Sequence, residues 1–344
     1  MFLSLGEIML RFCPGDHPLR AATQFTFSEG GGEYNVARGI SRCFGIPASV
    51  ATALVDNELG HLVHQMIRSS GVDTSNILWR DFDGIGKEVR NPLYFAERGF
   101  GHRAPKACMD RGHSAPSQLT TSDFDWDEIF ATGEIRWFHT GGIFAGLSIS
   151  TAEVAKQAMI SASNHGIHVS YDPNYRASLW QAKDRGGVAA AAQLNSELAQ
   201  YADTLFGVAP ILTHSAPPQD LTELENLIEK TATTFPQVKQ IALGRRHIHS
   251  ASTHDYAATV WENGNITHID GFENIQVLDR IGSGDAFAAG YISQMLGNEP
   301  SPQTAILQGS AAAALTMSTP GDAVLCSAQD VYQLMNAKHS QESR

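Results

Sequence analysis

The 344-residue sequence predicts a single α/β domain: a mainly parallel central sheet, helices on both faces and a small antiparallel β lid. Three observations predict it. Over the first seventy residues, short apolar runs alternate with amphipathic segments, the signature of βαβ units. The rhythm breaks over residues 76 to 120 and then resumes. Hydrophobic residues make up 42% of the chain, enough for a sizeable core, and no repeat, low-complexity block or linker divides it.

The elements follow in order. "FLSLGEIML" reads as a first buried strand. "EYNVARGISRCFG" is a helix, with Val36, Ile40 and Phe44 at helical spacing and Gly45 as its stop. "PASVATALV" is a strand. "ELGHLVHQMIRSSG" is a helix with Leu59, Leu62, Val63, Met66 and Ile67 on one side, ended by Gly71. Residues 76 to 120 are polar and rich in turn residues, which fits short antiparallel strands over a site. The segment 15 to 32 has the same character. We place the lid at about 12–28 and 86–116.

"IRWFHTGGI" then reads as strand and turn, and "STAEVAKQAMISASNHG" as a helix with a Ser/Thr cap. "IHVSYDPNYR" is a strand running into a loop, "GVAAAAQLNSELAQYA" a helix, "DTLFGVAPIL" a strand and turn, and "DLTELENLIEKTATTF" a helix. "KQIALG" is a strand. "YAATVWENGNITHI" is a hairpin around Asn263-Gly264. Two apolar helices close the domain, one in "VLDRIGSGDAFAAGYISQML" and one in "SPQTAILQGSAAAALTMSTPG".

Composition narrows the function classes. Lys and Arg total 24 against 36 Asp and Glu, a net charge of -12, so nucleic acid is not an expected partner. The four cysteines are far apart with no C-x-x-C, which argues against a disulfide framework and a Cys-rich zinc site and fits a cytoplasmic protein. "MFLSLGEIMLRF" lacks the features of a signal peptide, and no apolar run is long enough to span a membrane. The sequon at Asn265 carries no meaning without secretion.

Chemistry concentrates in "RIGSGDAFAAG". Phe287 with Tyr291, and Ala288 with Ile292, set an i, i+4 apolar face, so a helix begins near Ser283 to Asp285. Its first amides lack intrahelical partners, and Gly282 and Gly284 let an anion approach them. Asp285 reads either as a first-turn acid that stabilises the helix or as a general base beside an anion hole. The second role is the one phosphoryl transfer to an alcohol requires. A P-loop motif is absent, and Phe287 occupies the place of the third glycine of a dinucleotide motif.

Several motifs together resemble the ribokinase-like, phosphofructokinase-B type carbohydrate kinases. "DRIGSGDAFAAG" resembles their C-terminal signature, "EGGGEYNVARGISRCFG" their G-G-x-x-x-N-x-A element, and "DNELGHLVHQMIRSSGVDTS" their G-x-D-x-x-G and G-V-D-T pieces. The match spans nearly the whole chain. "GEIMLRF", "LYFAERGFGHRAPKACMDRGHSA" and "YDPNYRASLW" are similar to the 2-keto-3-deoxygluconate kinase group. The resemblance implies transfer of the ATP γ-phosphoryl to the 6-hydroxyl of that sugar acid, with Mg²⁺. It makes Asp285 the catalytic base, Gly282, Ser283 and Gly284 the anion hole, and Gly244 part of the nucleotide site. Gly31 and Asn35 would touch sugar hydroxyls. Tyr94, Arg111 and Arg176 would receive the acid end, where arginine suits a carboxylate. Plainer readings stand beside these: lid packing for Tyr94, a pair with Asp110 for Arg111, a helix-end contact for Arg176. The resemblance also implies a homo-oligomer, as a dimer through the lid or higher.

The sequence departs from the family pattern in three places. Met109 stands where the group usually has Tyr, which bears on substrate stereochemistry. Val208 and Ile211 stand where an N-x-x-E element that helps hold Mg²⁺ would fall, so the metal ligands are unassigned. The usual L-G-x-x-G nucleotide turn reads "LGRRHIHSAS", in which only Gly244 survives and Arg245 or Arg246 is left to meet phosphates. Arg280-Ile281 replaces a common Thr pair. Asp279 is a candidate ligand for a monovalent cation. His247, His249 and His254 form a dense histidine cluster whose alternatives are a metal site, which no acidic or thiolate ligand in the sequence completes, and a solvated turn at the nucleotide rim, the reading we take. Two other functions compete: a kinase of the same fold for a neutral sugar or nucleoside, and a non-catalytic sensor of sugar acid or nucleotide.

Overall fold

A computed structural model describes residues 1–180, 186–208, 211, 218 and 220–342. "FLSLGEIML" divides into β1 (Phe2–Leu5) and β2 (Met9–Cys13), which enter different sheets. Gly6 and Glu7 make the turn between them, so a run that looks continuous in apolar content changes direction. β3 (Thr26–Gly30) precedes α1 (Gly32–Arg38), which runs on as one π-helical turn, Gly39–Cys43. Gly45 follows with φ 68° and ends it. β4 (Ala48–Val55) is buried along its whole length. α2 (Glu58–Ser69) is capped by Asn57, whose side chain accepts from the Gly60 N–H at 2.9 Å. Val63 and Ile67 of this helix are buried while Leu59 is exposed, so the apolar stripe is narrower than its sequence suggests.

β5 (Ile77–Arg80), β6 (Leu93–Glu97) and β7 (Lys106–Asp110) follow. Then come α3 (Trp126–Ala131), β8 (Trp137–Gly141), α4 (Gly142–Ala145) and α5 (Ile149–Asn164). The cap of α5 is Ser148, two residues before the quoted Ser/Thr run, and it forms a capping box with Thr151. β9 (His168–Asp172), α6 (Ala177–Trp180), α7 (Gly187–Ala199), β10 (Thr204–Leu205) and α8 (Leu221–Thr234) continue the alternation. In "GVAPIL", Ala209, Pro210 and Leu212 lie outside the described residues.

β11 (Gln240–Ser250), β12 (Thr253–Glu262) and β13 (Asn265–Gln276) form a long antiparallel ribbon. Asn263 (φ 50°) and Gly264 (φ 81°) make the expected turn. The ribbon overturns one expectation: "LGRRHIHSAS" is a paired strand with its turn at Ala251-Ser252, so the histidines lie on strands rather than in a solvated turn. α9 (Ser283–Met295), α10 (Pro302–Met317) and α11 (Ala328–Glu342) complete the chain.

Among the described residues the large sheet has the order β13-β12-β11-β10-β9-β8-β1-β4-β5, parallel from β11 to β5. Alternation along the strands feeds two cores. Leu3, Leu5, Ala51, Ala53 and Val55 meet α3, α5, α7 and α8 on one face. Phe2, Ala48, Val50 and Leu54 meet α1, α2, α9 and α10 on the other. Each fully buried Leu or Phe contributes about 1.5–3 kcal/mol, against about 1 kcal/mol for a helix cap, so the two layers rather than the caps decide the architecture. The fold is the ribokinase-like α/β arrangement. The lid has the order β3-β2-β6-β7. Its β3–β2 and β6–β7 pairs are antiparallel, and a parallel β2–β6 seam joins them.

Candidate active site

Strand order reverses between β1 and β8, because β1 continues to β4 on one side while β8 and β9 lie on the other. A crevice forms at the carboxyl ends of parallel strands at such a point. Here those ends carry Gly6-Glu7, Gly141 and Asp172. α1 and α9 deliver Asn35 and Asp285 to the same place. Asn35 Nδ2 donates to Asp285 Oδ2 at 2.7 Å.

Two close approaches build the crevice. A Cβ on Gly31 would lie 2.0 Å from the Glu7 carbonyl oxygen, so only glycine lets α1 start against the end of β1. Gly282 caps α9 at φ 81°, and a Cβ there would lie 1.8 Å from the Asp322 carbonyl oxygen. The first α-helical bond of α9 runs from the Ala286 N–H to the Gly282 carbonyl at 2.8 Å. The amides of Ser283, Gly284 and Asp285 therefore have no intrahelical acceptor. Gly284 is exposed with open space beside it, and the Ser283 hydroxyl turns back to the Arg280 carbonyl at 3.1 Å. An anion can reach these amides.

Three carboxyl groups converge. Asp285 is half-buried, and its pKa is pushed up to about 7, first by burial. The Asn35 bond and Arg176 oppose that rise, while Asp172 and Asp322 add to it. Burial also raises Asp172 to about 6. Glu33, only 3% exposed, is raised to about 8 by burial against the pull of its own and the Phe144 N–H, with Asp285 and Asp172 adding to the rise. Glu33 Oε2 has no hydrogen-bond partner among the described residues. A base near neutrality beside an anion-receiving helix end suits removal of a hydroxyl proton.

The remaining sequence-predicted residues divide. Tyr94 is buried and donates its hydroxyl to Asp322, which also pairs with Arg11, and Arg11 in turn pairs with Asp279. Arg111 reaches the crevice already engaged: its Nε donates to Glu7 Oε2 at 2.9 Å, while Ser114 donates to Glu7 Oε1 at 2.7 Å. Its neighbour Asp110 pairs with Arg90 instead, at 2.6 Å. Arg176 is exposed and contacts the Tyr175 carbonyl at 3.3 Å, and its charge acts on both Asp172 and Asp285. Met109 lies opposite Tyr94 in the β6–β7 pair and shares its face of the lid, exposed at 38%. Gly244 sits in mid-strand, where a Cβ would meet the Tyr256 hydroxyl at 2.1 Å. His249 meets Asp255 at 2.6 Å, an acidic neighbour the sequence reading did not anticipate.

The protein side of a metal site is not built where the resemblance puts it. Val208 and Ile211 are 2% and 3% exposed and belong to the apolar core. Among the described residues no group of three or more His, Cys, Asp or Glu is placed to hold a metal ion. Arg11, Glu33, Asp172 and Asp322 were not singled out from the sequence, although the first three lie inside quoted motifs, "GEIMLRF", "EGGGEYNVARGISRCFG" and "YDPNYRASLW", and Asp322 directly follows the last helix stretch.

Comparison with known proteins places the chain by its family and its fold. The profile of the pfkB family carbohydrate kinases matches residues 3–329. A 2-dehydro-3-deoxygluconokinase from Bacillus subtilis is 27% identical over 93% of this chain and 90% of its own. A 2-dehydro-3-deoxygalactonokinase from Haloferax volcanii is 26% identical over 97% and 96%. The crystal structure of the Thermotoga maritima 2-dehydro-3-deoxygluconokinase superposes with a TM-score of 0.87 at 30% identity, covering 98% of each chain. An Escherichia coli ribokinase-type protein solved with ATP and Mg²⁺ shares the fold at TM-score 0.78 and 16% identity. With near-complete coverage and a basic carboxylate at the head of the anion-receiving helix, the chain belongs to the pfkB family of carbohydrate kinases, as an ATP-dependent sugar kinase.

Proposed function

We propose that this kinase phosphorylates the 6-hydroxyl of 2-keto-3-deoxygluconate, with Asp285 as general base. The observation that carries the reading is the Asn35–Asp285 contact at the head of α9, which puts a carboxylate of pKa about 7 beside unpaired amides. Asp285 takes the hydroxyl proton as the sugar oxygen attacks the γ-phosphorus and ADP departs. The amides of α9 receive the transferring group's oxygens. Arg176, with no ion pair among the described residues, binds the sugar carboxylate; Arg111 and Glu7 hold the neighbouring wall, with Gly31 and Tyr94 shaping it. No step is assigned to Mg²⁺, because residues 208 and 211 do not fit the ligand roles the resemblance implies.

A second acid is favoured by a specific observation. Met109, opposite Tyr94 on the same lid face, has no hydroxyl to read sugar stereochemistry. The gluconate and galactonate acids differ at C4, and relatives named for each are equally similar to this chain. An ADP-release assay with ketodeoxygluconate, ketodeoxygalactonate, fructose, ribose and adenosine tests the reading. Turnover of either acid above the neutral sugars supports it. Preference for a neutral sugar or a nucleoside removes it, and no turnover at all favours the sensor.

The proposal includes a dimer through the outer lid face, where Phe12, Phe25 and Phe95 cluster and Phe27 is 51% exposed. It also includes a cytoplasmic location, in keeping with four free thiols. Among the described residues no helix is long and apolar enough to cross a membrane.

A further inference from the structure

Three arginines act on one another beside the head of α9, and one of them, Arg176, also acts on the Asp285 and Asp172 carboxyl groups there. Arg246 Nη1 lies 3.5 Å from Ser283 Oγ. Its pKa is held below the usual range, first by burial and then by the positive charges of Arg280 and Arg176. The same two guanidinium groups, Arg246 and Arg280, help keep the buried His254 neutral, after burial itself. None of the three arginines has an ion pair among the described residues. Arg246 is partly buried while Arg280 and Arg176 are exposed; like charges repel, and a bound polyanion relieves the repulsion and the desolvation of Arg246.

Strand alternation selects which arginine faces the site. Arg246 is opposite Tyr256 in the β11–β12 register, so the two share the face that packs on α9, where Tyr256 meets Phe287 at 6.2 Å between ring centres. Arg245 takes the other face, where Asp270 acts on it. Val208 and Ile211, buried in the apolar core, supply no charge.

We propose that Arg246, assisted by Arg280, is a second catalytic group of this kinase. Its guanidinium binds non-bridging oxygens of the β- and γ-phosphates of the nucleoside triphosphate. It offsets the charge that moves onto the β-phosphate oxygens as the bond from γ-phosphorus to the bridging oxygen breaks. The sugar hydroxyl forms the new bond to that phosphorus, and its proton passes to Asp285. The inference rests on the kinase reading and adds the residue that carries phosphate charge where the metal-holding positions are apolar.

Calorimetric titration of wild type, Arg246→Met, Arg246→Lys and Arg280→Met with ATP, ADP and AMP, with and without Mg²⁺, tests it. Circular dichroism first checks that each variant is folded. Wild type is expected to bind ATP even without Mg²⁺, with affinity falling as salt rises. Arg246→Met should weaken ATP by about ten- to a hundredfold, the value of a charge-assisted hydrogen bond, and leave AMP unchanged. Arg246→Lys should recover part of the loss, and kcat should fall in the same order. Wild-type ATP affinity and kcat in folded Arg246→Met overturn the proposal, and so does an equal loss for AMP and ATP. If Arg246→Met does not fold, the salt dependence and Arg280→Met decide: salt-independent ATP binding, or unchanged ATP affinity in Arg280→Met, overturns it. Wild type that binds ATP through Arg246 but phosphorylates no sugar overturns the substrate reading and the catalytic role while leaving the phosphate site in place.

Discussion

Arg11 Nη1 donates to Asp322 Oδ1 at 2.5 Å, joining a lid strand to the loop after α10 across 311 residues of chain. Arg11 is 1% exposed and pairs with Asp279 as well, while Tyr94 donates to the other oxygen of Asp322. The lid is thereby tied to both segments that hold the Gly282 turn, since Asp279 precedes the turn and the Asp322 carbonyl packs against it.

Arg11→Met should leave two buried carboxylates without their cation. The expected loss of stability is about 3–5 kcal/mol, read as a lower melting temperature. The same pairing engages Asp279, so added potassium should leave the wild-type rate unchanged. Stimulation by potassium would show that Asp279 is free to bind it.

Asp285→Asn should lower kcat by about 10²–10⁴-fold, the usual worth of a general base. Sugar-acid binding by calorimetry should survive, because asparagine preserves the shape. Full activity in this variant would refute the assignment of the base.

The pH profile should rise as Asp285 loses its proton, with a limb near 7 that is broadened by coupling to Asp172 (about 6) and Glu33 (about 8). The Asn35 bond favours the charged form, so Asn35→Ala should move this limb upward. A limb that moves down, or not at all, would mean that Asn35 does not tune the base.

Stability should run the other way. All three acids hold protons more tightly folded than unfolded, where carboxyl pKa values are about 4. Their contribution is fully present below that value and is lost as pH rises through about 6 to 8. Glu33→Gln should flatten the part of the decline that lies between about pH 4 and pH 8, as melting curves across that range would show.

Gly282→Ala should cost more than about 2 kcal/mol, combining a left-handed φ with a Cβ that meets the Asp322 carbonyl. Activity should fall with it, because the turn aims the α9 amides. Near-wild-type melting would show that the turn relaxes freely.

Much of the fold was legible because periodicity and caps are local. The runs that became β4, α2, α8 and the Asn263-Gly264 hairpin carried their own spacing, caps and turn residues. The errors came where a partner outside the stretch decided the outcome. Gly6 breaks an apolar run because Glu33 fills the space beside it. "LGRRHIHSAS" is a strand because β12, which follows directly after the Ala251-Ser252 turn, pairs with it. In neither case does the stretch by itself carry the signal.

The sequence by itself determined the alternating architecture, the helix that begins at the Gly-Ser-Gly turn and the presence of a carboxylate at its head. Those follow from the residue order within a few turns of chain. Only the tertiary structure decided that Asn35 holds Asp285, that Glu7 engages Arg111, and that Arg246 rather than Arg245 shares the face of Tyr256 that packs on α9. Each depends on which side chains meet across the crevice, and burial and charge act through that meeting.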